Sequence, residues 1–270
     1  MWLLPISIIV FTIILAIPLS RYMAWIMEGK YKAPKIFHWF EQRLDTGPQN
    51  WKQYTAALIV FNIALFVFGY LVLALQPIMP LNPLGRGLLS PTTIFNSVIS
   101  FMTNTNLQHY SGDQHLSNFS QIFFVIYNQY VSAAVGFCAL TAIIRAFRGE
   151  KTVGNYFLDM WRVVVYMFVP IAFVIGLIFI QQGMPMTYQS AYQVSTLEPT
   201  AMGTDDKGQV KQQTIVVGPV AAVIPIKMLG TNGGGFYGMN SAHPLENPTD
   251  VTNFFTTFAM MLFPMGLVLM

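Results

Sequence analysis

The sequence contains few charged residues. Asp, Glu, Lys and Arg together make up 9% of its 270 residues, whereas a soluble domain has about 25%. It contains a single cysteine, Cys138, so it cannot form an internal disulfide framework or a cysteine-based metal site. Its basic residues occur in clusters that alternate with apolar runs, a pattern that gives no support for nucleic-acid binding.

The sequence also lacks the motifs of common enzymes. It has no phosphate-binding loop, no dinucleotide fingerprint and no His/Glu pair with metal-ligand spacing. An enzyme is therefore disfavoured, and we expect no organic cofactor and no catalytic residue.

Long apolar runs dominate what is present. Hydrophobic residues make up 54% of the chain, and a helix of about 20 apolar residues crosses a bilayer. The runs lie at 2–20, 55–76, 121–144, 163–180 and 254–270. The sequence therefore predicts an all-α integral membrane protein. The first run has no Lys or Arg before it and no clear cleavage site, which favours a retained helix over a signal peptide.

Lys and Arg set the predicted orientation. The stretches 21–52 and 145–162 hold ten of them, against four elsewhere. Because cytoplasmic loops are enriched in Lys and Arg, we place both stretches in the cytoplasm and the N-terminus outside. The predicted organisation is an extra N-terminal transmembrane helix at 1–20, a cytoplasmic or interfacial segment at 21–54, a first unit at 55–144, a cytoplasmic loop at 145–162, and a second unit at 163–270 with an external flap at 181–217. Within the flap, 209–217 predicts a short strand.

Each unit contains a short helix that cannot span a membrane. Ser90 and Pro91 suit the N-cap and first position of a helix over 91–102, and a second helix is predicted over 219–229. The second leads into Leu229–Phe236, whose three consecutive glycines would each cost a helix about 1 kcal/mol. Non-helical backbone at membrane depth must be buried in protein or line a water-filled cavity.

The units also repeat a sequence pattern. Thr103-Asn104 and Thr231-Asn232 follow the two short helices, and we align these pairs. Helix C-termini carry a partial negative charge, and carbonyl, Thr and Asn oxygens can replace water around a monovalent cation. No Asp or Glu lies in 90–108 or 219–240, which disfavours a Ca²⁺ or Mg²⁺ site. The pattern favours a cation filter over an ordinary Gly-rich turn.

Other polar residues leave alternatives open. Polar residues of the third span can line an ion passage or join helices, and they are Asn128, Gln129 and Ser132. Glu246 and Asp250 can attract cations at an outer mouth, although Asp250 can instead cap a helix. Lys227 opposes cation entry unless it is paired, and Glu246 is a candidate partner. Asp159 and Arg162 are expected to form an exposed ion pair.

Several motifs together resemble one known family. They are Asn50-Trp51-Lys52-Gln53-Tyr54, the run Ser100–Asn106, Tyr110-Ser111-Gly112, Ser132-Ala133-Ala134, Ile144-Arg145-Ala146-Phe147, the run Lys227–Phe236 and the run His243–Thr249. The last two motifs together are the most specific. The sequence is similar to the potassium-binding A subunits of Kdp-type potassium-transporting ATPases over nearly its whole length.

The resemblance implies a fold and a function. The fold is four span–pore helix–filter loop–span repeats, of which two are present here, with an extra helix at each end. The function is K⁺ binding as the channel-like subunit of an ATP-driven, high-affinity uptake complex in the bacterial inner membrane. The implied filter residues are Thr103, Asn104, Thr105, Asn106, Gln108, Thr231, Asn232, Gly233, Gly234 and Gly235.

The resemblance also implies partners, namely a P-type ATPase catalytic subunit, small single-span subunits and membrane lipid. Asp206-Lys207-Gly208 lacks the threonine of the phosphorylation motif of P-type pumps, so ATP hydrolysis is expected in the partner. The sequence departs from the family in two ways. It has about half the family length, which predicts further repeats beyond Met270, and Pro225 removes an amide donor and is expected to bend the second short helix. A passive K⁺ channel of the same superfamily and a structural membrane subunit without its own ion site remain alternatives.

Overall fold

The computed structural model describes residues 3–195, 212–239 and 241–270. Five described helices are long and apolar enough to cross a membrane. They are α1 (Leu3–Met27), α3 (Trp51–Ala74), α5 (Asn118–Phe147), α6 (Tyr156–Gln181) and α8 (Asp250–Leu269). Shorter elements are α2 (Lys35–Leu44), α4 (Pro91–Met102), α7 (Val220–Leu229), β1 (Ala191–Ser195) and β2 (Gln212–Val216). This is the predicted all-α integral membrane fold, with one small two-stranded ribbon.

The helix boundaries extend beyond the apolar runs. The first helix continues through Arg21 to Met27 instead of ending at Ser20, and α6 begins at Tyr156 instead of Val163. Hydropathy marks only the apolar middle of a helix, whereas polar residues are tolerated in its terminal turns. The predicted ends at Ser20 and Val163 are therefore each wrong by seven residues, about two turns.

Side-chain caps fix the starts of three helices. Ser90 caps α4, with Pro91 in the first turn, as predicted. Asn50 and Gln53 form a reciprocal capping box at α3. Thr249 caps α8 by accepting a hydrogen bond from the Thr252 amide. Asp250 lies exposed in the first turn of α8, so of its two alternative roles the capping one is wrong.

Two prolines alter the backbone ladder without ending a helix. Arg162–Phe168 forms a π-helical segment of α6 just before Pro170, where the missing proline amide breaks the regular ladder. In α7, Pro225 lies inside the helix, which continues to Leu229. Proline cannot donate to the Ala221 carbonyl, and the absence of a side chain on Gly176 leaves room for that carbonyl.

The predicted flap contains the two-stranded ribbon. Strands β1 and β2 pair antiparallel, with Ala191 opposite Val216. The strand predicted over 209–217 is confirmed over Gln212–Val216, whereas the acidic pair Asp205-Asp206 lies outside the described residues. The Tyr237 hydroxyl donates to the Val216 carbonyl at 2.7 Å, which fastens the ribbon to the glycine-containing loop.

The apolar core lies between the short helices and the spans that surround them. Phe101 of α4 packs on Phe124 of α5, with ring centroids 4.9 Å apart, and both side chains are fully buried. Helix α1 packs along α8, where Gly266 leaves room for the Met23 sulfur. The two short helices are therefore enclosed by protein on their inner sides, as non-helical backbone after them requires.

A buried charged cluster ties the opposite end of the bundle together. The Asp159 carboxylate is fully buried and lies 2.5 Å from Arg145 and 3.6 Å from Arg162. It also accepts a hydrogen bond from the Tyr54 hydroxyl at 3.2 Å. Both arginines donate to the Met27 carbonyl at the end of α1. The expectation of an exposed Asp159–Arg162 pair is therefore wrong: the carboxylate is buried, and the cluster around it joins four helices inside the protein.

We expect Asp159→Ala to destabilise the protein by about 3–5 kcal/mol, because it leaves buried arginine charge uncompensated. Glu150→Ala is the control, since Glu150 pairs with Arg148 on the surface and such pairs contribute under about 1 kcal/mol. Thermal unfolding of the full-length protein in detergent measures both variants. Equal melting temperatures would contradict the structural importance of the cluster.

Candidate ion-binding loops

Helix α4 ends in a hydrogen-bonded turn that starts the first loop. Thr103 is the C-cap residue, and Asn104 follows in the left-handed region with φ of 60°. The Asn104 amide donates to the Phe101 carbonyl at 3.2 Å and the Thr105 amide to the Ser100 carbonyl at 2.9 Å. This is the Schellman pattern, which satisfies carbonyls that the helix end leaves free.

Helix α7 ends in the same way. Gly230 is the C-cap residue, and Thr231 follows with φ of 53°. The Thr231 amide donates to the Met228 carbonyl at 3.1 Å and the Asn232 amide to the Lys227 carbonyl at 2.9 Å. A β-branched residue is strained in this conformation, by roughly 1–3 kcal/mol. The second loop is therefore held in a conformation that its sequence disfavours.

The hydrogen bonds define which residues of the two loops are equivalent. Asn104 corresponds to Thr231, and Thr105 corresponds to Asn232. Aligning Thr103-Asn104 with Thr231-Asn232 is therefore wrong by one residue. The Thr-Asn pair occurs after both helices, but it does not occupy the same position relative to the two helix ends.

Amide side chains join the two loops directly. The Asn104 amide nitrogen donates to the Gly230 carbonyl at 3.1 Å. Its oxygen accepts hydrogen bonds from Asn232 and, at 2.9 Å, from Ser132. Further along, Gln108 donates to the Gly235 carbonyl at 3.1 Å and accepts from the Gly235 amide at 3.3 Å. Two side chains of the first loop, Asn104 and Gln108, therefore bind the main chain of the second loop at two separate positions.

The predicted filter residues fall into exposed and buried sets. Thr103, Thr105, Thr231 and Gly233 are exposed, Asn104 and Gln108 are partly buried, and Asn106, Asn232, Gly234 and Gly235 are buried. A Cβ on Gly233 would lie 3.9 Å from the Thr105 carbonyl oxygen, so these parts of the two loops face each other. The exposed set therefore lies on the solvent-accessible side of the two loops.

The carbonyls of the buried glycines are used within the protein. Gly234 accepts a hydrogen bond from Gln129 at 2.5 Å, and Gly235 accepts the bond from Gln108. Gly234 has no space for a side chain, because a Cβ there would lie 2.9 Å from the Asn106 carbonyl oxygen. The Asn106 side chain is 4% exposed, and both its polar atoms lack a partner among the described residues. Buried amides normally have partners, so the Asn106 side chain is an exception among the buried polar groups of the loops.

The polar residues of α5 have different roles in the structure. Gln129 supports Gly234 and Ser132 supports Asn104, whereas Asn128 donates to the Phe124 carbonyl of its own helix at 2.8 Å. Ser132 and Asn104 also line an open groove of about 580 Å³ whose other walls are mostly apolar. The ion passage along these residues stays a prediction.

A buried ion pair lies directly behind the second loop. The Lys227 ammonium lies 3.2 Å from the Glu246 carboxylate, which is fully buried. Glu246 also accepts hydrogen bonds from the Tyr237 and Ser241 amides, each at 2.8 Å. The predicted Lys227–Glu246 pairing is confirmed. Glu246 is consequently not a free charge at an outer mouth, which corrects that expectation, whereas Asp250 is exposed.

A comparison with known protein families matches residues 6–270 to the model described as "KdpA: Potassium-transporting ATPase A subunit". The chain belongs to the KdpA family.

Individual KdpA proteins agree with the family match. The chain is 40% identical to the potassium-transporting ATPase potassium-binding subunit of Bacteroides fragilis, over 97% of this chain and 46% of the relative. It is 39% identical to the subunit of that name from Serratia proteamaculans, over 98% of this chain and 46% of the relative. The chain thus spans about half the length of the curated relatives it matches.

Sequence reasoning missed two contacts that position the second KdpA loop. Gln121, in a π-helical segment of α5, donates to the Phe236 carbonyl at 3.3 Å. Gly112 lies against the same carbonyl, where a side chain would collide with it. Gly112 belongs to the Tyr110-Ser111-Gly112 motif, but nothing in that motif indicates which distant segment of the chain Gly112 contacts.

The Lys227–Glu246 pair predicts non-additive mutational effects. Lys227→Met and Glu246→Leu should each destabilise the protein by about 3–5 kcal/mol, because each leaves one buried charge alone. The double variant should be less destabilised than the sum of the two, since neither charge remains. Thermal unfolding of the full-length protein measures this cycle, and strict additivity would show that the two groups do not interact.

Proposed function

We propose that the two loops form part of a K⁺ selectivity filter. The subunit would bind extracellular K⁺ there and pass it into the membrane within an ATP-driven, high-affinity uptake complex. The observation that carries the proposal is the side-chain bonding of Asn104 to both Gly230 and Asn232, which brings the ends of two short helices together. The chain spans about half of its relatives, so the remaining walls of the filter would come from the rest of the full-length protein.

The chemistry of the loops supports a monovalent ion. Thr103, Thr105, Thr231 and Gly233 are exposed and offer neutral hydroxyl and carbonyl oxygens, which replace hydration water without the tight binding of carboxylates. Two helix C-termini add partial negative charge at the same place. The nearby Glu246 carboxylate is neutralised by Lys227, so it does not create a divalent site.

The strain in the loops supports a selective site. Asn106 has φ of 54°, in addition to the left-handed Asn104 and Thr231, whereas Gly233 reaches φ of 103° without strain because it has no side chain. Backbone in such conformations persists only where its surroundings hold it, and it concentrates at functional sites. Hydrogen bonds from Gln108 and Gln129 supply that support here.

The proposed complex places ATP hydrolysis in another subunit. The relatives are named as potassium-binding subunits of a potassium-transporting ATPase, and we propose a P-type catalytic partner and small single-span partners for this chain. The ten Lys and Arg in 21–52 and 145–162 support an inner-membrane topology with the N-terminus outside. Uptake by vesicles that carry the subunit without its ATPase partner would instead favour a passive channel.

A glycine pair tests the filter. In the full-length protein within its complex, Gly234→Ala should raise the K⁺ concentration for half-maximal uptake at least about fivefold, because overpacking costs roughly 1–3 kcal/mol. Gly87→Ala is the matched control, since a Cβ on Gly87 meets nothing within 4 Å. Uptake at low external K⁺ measures both. Unchanged apparent affinity in Gly234→Ala, with normal assembly, would support a structural subunit without its own ion site.

Neighbouring amides separate loop support from an ion passage. Gln129→Met leaves the buried Gly234 carbonyl without its donor, at a cost of about 1–3 kcal/mol, and should weaken apparent K⁺ affinity. Asn128→Leu removes a bond within α5 only and should leave that affinity unchanged. Both side chains are fully buried, so the comparison is matched for burial. Equal loss of maximal transport rate with unchanged affinity in both variants would point to passage lining instead.

A further inference from the structure

Helix α2 lies at the end of the bundle that carries the buried charged cluster, opposite the loops. Its inner face is held by polar and aromatic contacts. The Glu41 carboxylate accepts hydrogen bonds from the Tyr31 and Tyr166 hydroxyls at 2.6 and 2.7 Å. The Phe37 and Trp161 rings meet edge to face, 5.9 Å apart. These contacts fix the orientation of α2 and therefore decide which residues face outward.

The outer face of α2 is apolar and largely exposed. Ile36, Trp39 and Phe40 are 65%, 47% and 40% exposed, although one side of the Phe40 ring stacks on Trp161, with ring centroids 5.3 Å apart. Their spacing of three and four residues places them on one helix face. Together with Lys35 they line an open groove of about 540 Å³. A soluble surface rarely keeps such side chains uncovered without a binding partner.

Cations flank this face. Lys32, Lys35 and Arg43 are exposed, Lys30 is paired with Glu28 at 2.6 Å, and Glu41, the one acidic residue between positions 30 and 44, faces inward. The Arg43 guanidinium lies 3.5 Å from the centre of the Trp39 ring, so a cation and an aromatic ring are held together at the edge of the groove. An apolar face with a cationic rim is complementary to a surface that is apolar below and anionic above.

The tryptophans place this end of the bundle at a membrane–water boundary. Trp25, Trp51 and Trp161 lie in the last turn of α1, the first turn of α3 and the N-terminal part of α6. Gln49 and Gly154 bridge their backbones beside them. Since Trp and Tyr concentrate at bilayer interfaces, the exposed Trp39 of α2 belongs to the same level.

We propose that the outer face of α2 is a binding site for anionic phospholipid. Ile36, Trp39 and Phe40 would enter the upper acyl region of the bilayer, while Lys35 and Arg43 contact the phosphate and the anionic headgroup. The site depends on α2 and its support on α6, and it is independent of the K⁺ filter.

Lipid retention tests the proposal in the full-length protein within its complex. The complex is placed in nanodiscs of phosphatidylcholine mixed with phosphatidylglycerol, and the lipids that remain bound are quantified by native mass spectrometry. The wild type should retain phosphatidylglycerol preferentially. Lys35→Gln with Arg43→Gln should reduce that preference by about fivefold for each cation removed. Arg148→Gln with Lys151→Gln is the control, because it removes equal charge from exposed positions of another loop at this end.

A second measurement shows what covers Trp39. Bromine on the upper acyl chain quenches nearby tryptophan, and the difference between wild type and Trp39→Phe isolates the Trp39 signal. Quenching by brominated phosphatidylglycerol, with both charge-removal pairs still unfolding at the wild-type temperature, supports the site. Equal phosphatidylglycerol retention in the two pairs would overturn it. Trp39 fluorescence that no bromolipid quenches would also overturn it and would assign the face to a protein partner.

Discussion

The side chain of Asn104 makes the interaction on which the loop architecture depends. A polypeptide that leaves the helical conformation at membrane depth exposes amides and carbonyls that lipid cannot satisfy. The Asn104 side chain meets this requirement in both loops. Its amide nitrogen donates to the Gly230 carbonyl, and its oxygen accepts hydrogen bonds from the Asn232 side chain and the Ser132 hydroxyl. Gln108 and Gln129 bond the Gly235 and Gly234 carbonyls in the same way, so side-chain amides hold both loops in place.

Buried charged residues have different roles at the two ends of the bundle. Directly behind the second loop, the Lys227 and Glu246 charges cancel each other, and neutral oxygens remain available in the loops. At the other end, full charges are concentrated around Asp159, where they fasten helix termini to one another. This separation lets the protein hold its helices firmly through charge without placing a fixed anion beside the proposed ion site.

Much of the architecture was predictable from local rules. Hydropathy located the five spans, and the Ser90-Pro91 pair located the start of α4, because caps and apolar runs are properties of neighbouring residues. The Lys227–Glu246 pair was also predictable, since a buried lysine needs a carboxylate and few were near. The burial of Asp159 and the support of Gly234 by Gln129 were not, because each depends on which helices become neighbours. The loop register was missed because hydrogen bonding, and not residue type, defines where a helix ends.

The two loops make the proposed site asymmetric. Asn106 of the first loop corresponds to Gly233 of the second, so equivalent backbone positions carry an amide side chain in one loop and none in the other. An ion between the two loops would therefore face two different walls. One wall carries the buried Asn106 side chain behind it, and the other consists of main chain alone. Two repeated units of a membrane protein can thus share a backbone conformation and still contribute differently to ion contact and to the support of the site.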